Sequence, residues 1–146
     1  MIILDTNVVS AVMLAVPDPH VIAWLDRCPP ESVWTTAVTV FEVRLGIELL
    51  AAGRQRKRLE QAFDRALAED FQGRVLSFDE AAALAAAVIV ATARRQGRPV
   101  DIRDAQIAGI ATARRGVLAT RNSRHFRELE IDVVDPWEEQ ERPRRK

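Results

Sequence analysis

The stretch Met1-Ile2-Ile3-Leu4-Asp5-Thr6-Asn7 opens the sequence and decides the fold class. Its first four residues are apolar and include two β-branched side chains, which predicts a short strand buried on both faces. Strands of that kind occur in parallel sheets whose faces are covered by helices. Asp5 directly follows the strand, and Thr6 and Asn7 are predicted to cap a helix over residues 8–14.

Downstream of this opening, apolar segments of strand length alternate with segments of helical periodicity. Four more strands are predicted, over residues 32–36, 74–78, 117–120 and 131–134. Five more helices are predicted, over residues 20–27, 38–50, 54–69, 80–96 and 101–115. The alternation indicates an α/β fold, a three-layer α/β/α sandwich around a central five-stranded parallel sheet. In such sheets, ligands bind beyond the carboxyl ends of the strands, where the direction of winding reverses.

Length and composition limit the architecture and the classes of function. The 146 residues suit one domain, predicted over residues 1–137, and the charged segment 138–146 is expected to be a disordered tail. A formal net charge of zero excludes a globally basic nucleic-acid binder but allows a local basic surface. The single cysteine, Cys28, cannot form an internal disulfide and favours a reducing compartment. Because no secretory or membrane-spanning signal is visible, we expect a cytoplasmic protein without membrane contact.

Three acids are placed where this fold would bring them to one edge of the sheet. Asp5 follows the first strand, while Glu42 and Asp104 lie near the starts of helices. Asn122 follows the fourth strand and would lie at the same edge. Several carboxylates held together repel one another, and a divalent cation relieves that repulsion. Oxygen ligands favour Mg²⁺ or Mn²⁺, whereas Zn²⁺ would need histidine or cysteine ligands at spacings that this chain does not have.

Each acid also has a purely structural interpretation. Asp5 could only cap the first helix. Glu42 lies three residues after Thr39, the spacing of a capping box. Asp101 and Asp104 suit the first turn of a helix because they complement its dipole, and the capping interpretation is stronger for Asp101. Their joint placement, and not any one of them, points to a site.

Four blocks of the sequence combine these polar residues with apolar neighbours. They are Ile3-Leu4-Asp5-Thr6-Asn7, Phe41-Glu42-Val43-Arg44-Leu45-Gly46, Asp104-Ala105-Gln106-Ile107-Ala108, and Leu118-Ala119-Thr120-Arg121-Asn122 followed by His125-Phe126. Taken together and in this order, the blocks resemble the signature blocks of PIN-domain nucleases. Their spacing, the chain length and the closing Val134-Asp135-Pro136-Trp137 resemble VapC toxins of bacterial type II toxin–antitoxin pairs, especially the FitB-like branch.

The resemblance implies a PIN-like fold, a homodimer, Mg²⁺ or Mn²⁺ dependence and cleavage of RNA. It also implies a small antitoxin of the VapB or FitA kind that binds operator DNA. Asp5, Glu42 and Asp104 match the three acids that such domains use for catalysis and metal binding. Asn122 departs from the pattern, because some members carry a fourth acid there, and Asp101 is expected only to support the site.

The same resemblance suggests how neighbouring side chains would help to hydrolyse a phosphodiester. Metal held by Asp5 and Asp104 would polarise the phosphate and activate a water, and Glu42 would orient a second metal or accept the proton. Supporting roles fall to four side chains: Thr6 and Thr120 through their hydroxyls, Asn7 by fixing Asp5, and Arg121, which would bind an RNA phosphate or remain a solvated surface residue.

Two other classes of function compete with a nuclease. A phosphoacceptor or receiver domain would need a second acid in the first loop or a lysine at a strand end, and neither Lys57 nor Lys146 is so placed. A non-catalytic module of the same fold that binds RNA or a partner protein stays open, because Asn122 lacks the fourth charge.

The surfaces that would contact partners are less clearly marked. Three basic stretches would hold an RNA backbone or form solvated faces: residues 54–58, 94–98 and 142–146. Trp24, Leu45 and Leu49 would receive an amphipathic helix of a partner, although core packing is the interpretation that their apolar character favours.

Overall fold

The structure, a computed structural model, describes residues 1–138, so the predicted tail lies almost wholly outside the described residues. Strands and helices alternate as the sequence predicts. In chain order they are β1 (Ile2–Leu4), α1 (Thr6–Val12), α2 (Pro19–Leu25), β2 (Val33–Thr36), α3 (Ala37–Glu48), α4 (Arg54–Arg65), β3 (Val75–Leu76), α5 (Glu80–Arg95), α6 (Ile102–Arg114), β4 (Val117–Ala119), α7 (Ser123–Glu128) and β5 (Val133–Val134).

The five strands form one parallel sheet in the order β3-β2-β1-β4-β5. In its centre, Ile3 of β1 pairs with Trp34 of β2 on one side and with Leu118 of β4 on the other. The chain adds β2 and β3 on one side of β1, then crosses over to add β4 and β5 on the other. The winding direction therefore reverses between β1 and β4, where this class of sheet binds ligands.

Adjacent residues of β1 face opposite sides of the sheet and nucleate separate cores. Leu4 packs with side chains of α1, α2, α3 and α4. Ile3 packs with side chains of α5, α6 and α7. The sheet is therefore covered on both faces, and the predicted three-layer sandwich around five parallel strands is confirmed.

Helix α6 is held tightly against its neighbour α5 by small residues. A Cβ atom at Gly109 would lie 2.5 Å from the carbonyl oxygen of Ala82 and 2.8 Å from the Cβ of Ala86, so only glycine fits this crossing. Ala105 and Ala108 are buried on the same helix. This packing fixes the axis of α6 and with it the position of Asp104 in its first turn.

Near the carboxyl edge, one prediction about local structure is wrong. The first helix begins at Thr6 because Asp5 caps it, so Thr6 and Asn7 are helical residues and not caps. The segment after β4 leads into α7, a short helix that begins at Ser123 and is not among the predicted elements. Within residues 1–138, no helix combines the length and the apolar character needed to cross a membrane.

Candidate active site

Asp5 lies at the reversal point, and its carboxylate is held by three hydrogen bonds. Oδ1 accepts from the backbone N–H of Thr6 at 2.8 Å. Oδ2 accepts from the hydroxyl of Thr120 at 2.8 Å and from Nδ2 of Asn7 at 3.3 Å. The side chain is almost fully buried, and burial raises its pKa, with a further contribution from the charge of Glu42. Asp5 thus both caps α1 and presents a fixed, buried carboxylate at the strand ends.

Glu42 turns toward this site and does not cap its own helix. Helix α3 is capped by Thr36, whose hydroxyl accepts from the N–H of Thr39 at 3.0 Å. The helix therefore begins before Thr39, which makes the capping-box interpretation wrong and places Glu42 in the second turn. Its Oε1 accepts from the hydroxyl of Thr6 at 2.9 Å, and its Oε2 lies 3.8 Å from Nη1 of Arg103.

Asp104 lies in the first turn of α6, where burial and nearby charges raise its pKa. Asp101 is the cap of this helix and accepts from the N–H groups of Arg103 at 2.9 Å and Asp104 at 3.4 Å, which confirms its capping interpretation. The pKa of Asp104 is raised to about 6, first by burial and then by the charges of Asp5, Asp101 and Glu42. The carboxylate also lies 3.9 Å from Nε2 of His125.

Charges of the predicted acids raise the pKa of Asp5 and Asp104, but the three acids do not form a complete set of metal ligands. Asp5 and Glu42 both raise the pKa of Asp104, and Glu42 raises that of Asp5. Among residues 1–138, however, no group of three or more His, Cys, Asp or Glu side chains is arranged to hold a metal ion. The assignment of these acids as ligands therefore stays a prediction.

The segment that follows β4 borders the site on the side opposite α3 and holds Asp5 and Asn7 through hydrogen bonds. The Thr120 hydroxyl, which donates to Asp5, also accepts from Nδ2 of Asn7 at 3.3 Å and from the N–H of Asn122 at 3.1 Å. Oδ1 of Asn7 accepts from the N–H of Arg121 at 3.1 Å. Asn7 therefore fixes both Asp5 and the loop, whereas the exposed side chain of Asn122 makes no capping hydrogen bond to α7.

A family model described as "PIN domain" matches residues 2–131, which include every side chain of this site. The chain belongs to the PIN-domain family. This confirms the family that the four sequence blocks indicate.

Named relatives of this PIN domain agree with the predicted branch. It is 36% identical over 138 residues to "VapC ribonuclease Y4jK" of Sinorhizobium fredii, and 36% identical over 137 residues to "Toxin FitB" of Neisseria gonorrhoeae. Each match covers 94% of this chain and 99% of the relative. The structure is also similar to a solved FitAB complex bound to a DNA fragment, with a TM-score of 0.85, 36% identity and coverage of 94% of this chain and 96% of that one.

Two side chains of the site were not singled out from the sequence. His125 has a buried Nε2 without a hydrogen-bond partner among residues 1–138, and it faces Asp104. Arg103 bridges toward Glu42 and Asp101 at 3.8 Å each. The position of His125 in the fourth sequence block could have marked it as a site residue. Nothing in the sequence marks Arg103, because its contact with Glu42 depends on how α6 packs against α3.

The surfaces discussed from the sequence are partly used for other purposes. Arg56 forms ion pairs with Glu48 and Glu60, and Nη1 of Arg58 donates to the carbonyl of Met13, so two of the four basic side chains of residues 54–58 make contacts within the fold. A cavity of about 670 Å³ lies between α1, α2 and α4, and none of the three candidate acids lines it. The candidate site is instead an open edge of the sheet.

The three apolar residues named as partner contacts differ in exposure. Trp24 is buried in the core, which excludes it from any partner surface. Leu45 and Leu49 are exposed on α3 and just beyond its end, together with Phe41, so core packing is the wrong interpretation for these two leucines.

Proposed function

We propose that this PIN domain is a Mg²⁺- or Mn²⁺-dependent endoribonuclease and the toxin of a type II toxin–antitoxin pair. The observation that carries the proposal is the environment of Asp5. Its carboxylate is nearly fully buried and is fixed by three hydrogen bonds at the reversal point of the sheet. The charge of Glu42 raises the pKa of Asp5, and the charge of Asp5 raises the pKa of Asp104. A buried acid surrounded by further acids is costly unless a cation or a reaction requires it.

The chemistry of the donors fits a hard divalent cation. The site offers carboxylate and hydroxyl oxygens. Burial raises the pKa of Asp5 and Asp104, and the charges of neighbouring acids raise both further. Mg²⁺ commonly binds through one or two carboxylates and keeps several waters, so it does not require three converging acids. Asp5 and Asp104 would hold the ion. When bound, it would supply charge stabilisation at the phosphate and a water of lowered pKa.

The remaining side chains hold the reacting groups in place. Glu42, fixed at Oε1 by the Thr6 hydroxyl, keeps Oε2 available to accept a proton from the attacking water. Thr120 and Asn7 fix Oδ2 of Asp5, which leaves the carboxylate with one orientation. Arg103 lies 3.8 Å from Glu42, and His125 lies 3.9 Å from Asp104, so both side chains border the acids.

A cleavage assay with metal removal and return tests this proposal. We expect purified protein to cut a labelled single-stranded RNA when Mg²⁺ or Mn²⁺ is present, to lose this activity in EDTA, and to regain it when either ion is restored. Binding of Mn²⁺ measured by calorimetry should weaken in Asp104→Asn. Metal-independent cleavage, or equal Mn²⁺ binding by the variant, would contradict the assignment.

A second candidate is a non-catalytic module of the PIN fold that binds RNA or a partner protein. Two observations favour it: no complete ligand set of three acids occurs among residues 1–138, and an amide stands at residue 122 where some family members carry an acid. This candidate predicts RNA or partner binding without turnover at any metal concentration. The same assay therefore separates the two functions.

The named relatives support the proposed partners. The solved FitAB complex bound to DNA suggests a small antitoxin of the FitA or VapB kind that also binds operator DNA, and the name of the VapC ribonuclease supports RNA as substrate. We further propose a homodimer in the cytoplasm. A gene for a small protein directly upstream, and a mass of twice the chain in light scattering, are the observations that test these points.

A further inference from the structure

The exposed side chain of Arg121 lies over the ring of Trp137. Its Cζ atom is 4.9 Å from the ring centroid, which is within range for a cation–π contact. Trp137 comes from the closing block of the sequence, to which the proposed chemistry gives no role. The pair lies at the carboxyl edge of the sheet, after β4 and β5.

Trp137 is fixed in place independently of Arg121. Its indole N–H donates to Oδ2 of Asp18 at 3.0 Å, and its backbone N–H donates to Oδ1 of Asp135 at 2.9 Å. The indole bond lowers the pKa of Asp18, which keeps this acceptor charged. The ring also packs against the core formed by α1, α2, α3 and α4. Trp137 is therefore a rigid support and not a mobile surface side chain.

The backbone of Arg121 is equally fixed, while its guanidinium is free to bind. Asn7 accepts from the Arg121 N–H through Oδ1 and donates to Asp5 through Nδ2. This places Arg121 one side chain away from the candidate catalytic acid. Among residues 1–138 its guanidinium makes no ion pair or hydrogen bond, whereas Arg103 and Arg114 are both paired with acids.

We propose that Arg121 and Trp137 form a phosphate-binding subsite for the RNA strand next to the cleaved bond. Trp137 is a positioning residue that acts through Arg121. This inference rests on the proposed function and adds the subsite to it. A guanidinium held over a ring by a cation–π contact can adopt fewer orientations, and its planar fork of N–H donors can bind a phosphate through two parallel hydrogen bonds.

The arrangement favours a phosphate over a stacked base. One side of the Trp137 ring is covered by Arg121 and the ring also packs against the core, so a nucleobase would have to displace the arginine. Pre-positioning lowers the entropy lost when a long side chain is fixed on binding.

A double-mutant cycle on RNA affinity tests the subsite. The full-length chain carrying Asp104→Asn, which prevents turnover, is titrated with a fluorescein-labelled 12-nucleotide single-stranded RNA of mixed sequence. We expect about tenfold weaker binding for Arg121→Gln and about two- to fivefold for Trp137→Leu. The double variant should match Arg121→Gln alone, since Trp137 acts through the arginine. Arg121→Gln should also lower the salt slope of log K by about 0.7.

Two matched variants make the result interpretable. Arg124→Gln removes the same charge from a side chain that is 94% exposed on α7, and it should change affinity by less than Arg121→Gln. Trp137→Phe keeps a ring under the guanidinium, so its affinity should lie closer to that of the parent than Trp137→Leu does, even if the leucine variant folds poorly. The subsite would be overturned if the affinity losses of Arg121→Gln and Trp137→Leu multiplied in the double variant. Equal affinity losses for Arg121→Gln and Arg124→Gln would also overturn it. If the chain proves to lack nuclease activity, the cycle still reports on RNA binding.

Discussion

The hydroxyl of Thr6 donates a 2.9 Å hydrogen bond to Oε1 of Glu42, which joins the first residue of α1 to the second turn of α3. The two residues lie 36 positions apart in the chain, so only the folded sheet brings them together. Thr6 also contacts the hydroxyl of Thr39 at 3.5 Å. The bond gives Glu42 one orientation, toward the end of β1, and leaves its second oxygen available.

We expect Thr6→Val to lower metal-dependent RNA cleavage by about tenfold, because support residues of metal sites typically contribute 10- to 100-fold. Valine keeps the shape of the side chain but cannot hold Glu42, whereas Thr6→Ser keeps the hydroxyl and should stay near wild-type activity. The measurement is kcat/KM on a labelled RNA. Thr112→Val, an exposed threonine of α6, controls for the substitution itself. Equal activity of Thr6→Val and wild type would contradict a role for this bond.

Much of the fold could be predicted from the first seven residues and the alternation that follows them. An apolar run ending in Asp5 specifies a buried parallel strand, and the strand count and three layers follow from periodicity. The first residue of each helix was harder to predict from the sequence. Asp5 and Thr6 are both good caps, and only the register of β1 against β4 decides that Asp5 is the cap. Helix α7 was missed because its polar start reads locally as a turn.

The sequence predicts where the site lies in the fold better than it predicts the side-chain contacts within the site. The rule that parallel strands end at one edge places Asp5 and the residues after β4 together. Contacts such as Arg103 with Glu42, or Trp137 with Asp18, depend on helix packing and on the end of the chain folding back. No pattern of spacing in the sequence encodes them.

Asp5→Asn should abolish metal-dependent cleavage, with a loss of at least about 100-fold that reflects the several kcal/mol that a bound ion supplies. Asparagine keeps an oxygen that can accept from the Thr6 N–H, so circular dichroism and Tm should still report a folded protein. Asp64→Asn, on the exposed side of α4, is the matched control and should behave as wild type. A folded Asp5→Asn protein with normal turnover would remove Asp5 from the site.

Without metal, Asp104→Asn should stabilise the protein at pH 7.5. Because the pKa of Asp104 is raised from 3.8 to about 6 in the folded state, stability is lost as pH rises through this range. Two pKa units correspond to about 3 kcal/mol at full strength. Solvent screening at this partly exposed group lowers the expected gain to about 1 kcal/mol, which raises Tm by about 2–4 °C.

Thermal melts in EDTA at pH 4 and pH 7.5 measure this effect. The advantage of Asp104→Asn should shrink at pH 4, where the wild-type carboxyl is mostly protonated in the folded state. Adding Mg²⁺ should stabilise wild type more than the variant, because a ligand stabilises the state that binds it. A variant that is less stable than wild type at pH 7.5 in EDTA would show that the Asp104 charge is already compensated.

The exposed stripe of Phe41, Leu45 and Leu49 predicts a separable binding defect. These residues recur every four positions along one face of α3 and just beyond it, and Leu49 is 77% exposed. We expect the double variant Leu45→Glu/Leu49→Glu to cleave RNA normally but to bind the antitoxin much more weakly in a pull-down with the upstream gene product. If light scattering instead shows that the double variant alone falls from dimer to monomer while antitoxin binding is unchanged, the stripe is a contact between copies of this chain.

The last prediction concerns toxicity in cells. A ribonuclease that acts on cellular RNA harms its host, so we expect expression of the chain alone to arrest growth and co-expression of the upstream neighbour to restore it. Asp104→Ala should be non-toxic because it loses the acid whose ionisation depends most clearly on the rest of the site. It should still co-purify with the antitoxin, since Asp104 lies outside the apolar stripe that is proposed to carry much of the contact. Growth is followed after induction, with Asp64→Asn as the toxic control. Harmless wild-type protein at high expression without antitoxin, or an Asp104→Ala variant as toxic as wild type, would exclude this role for the site.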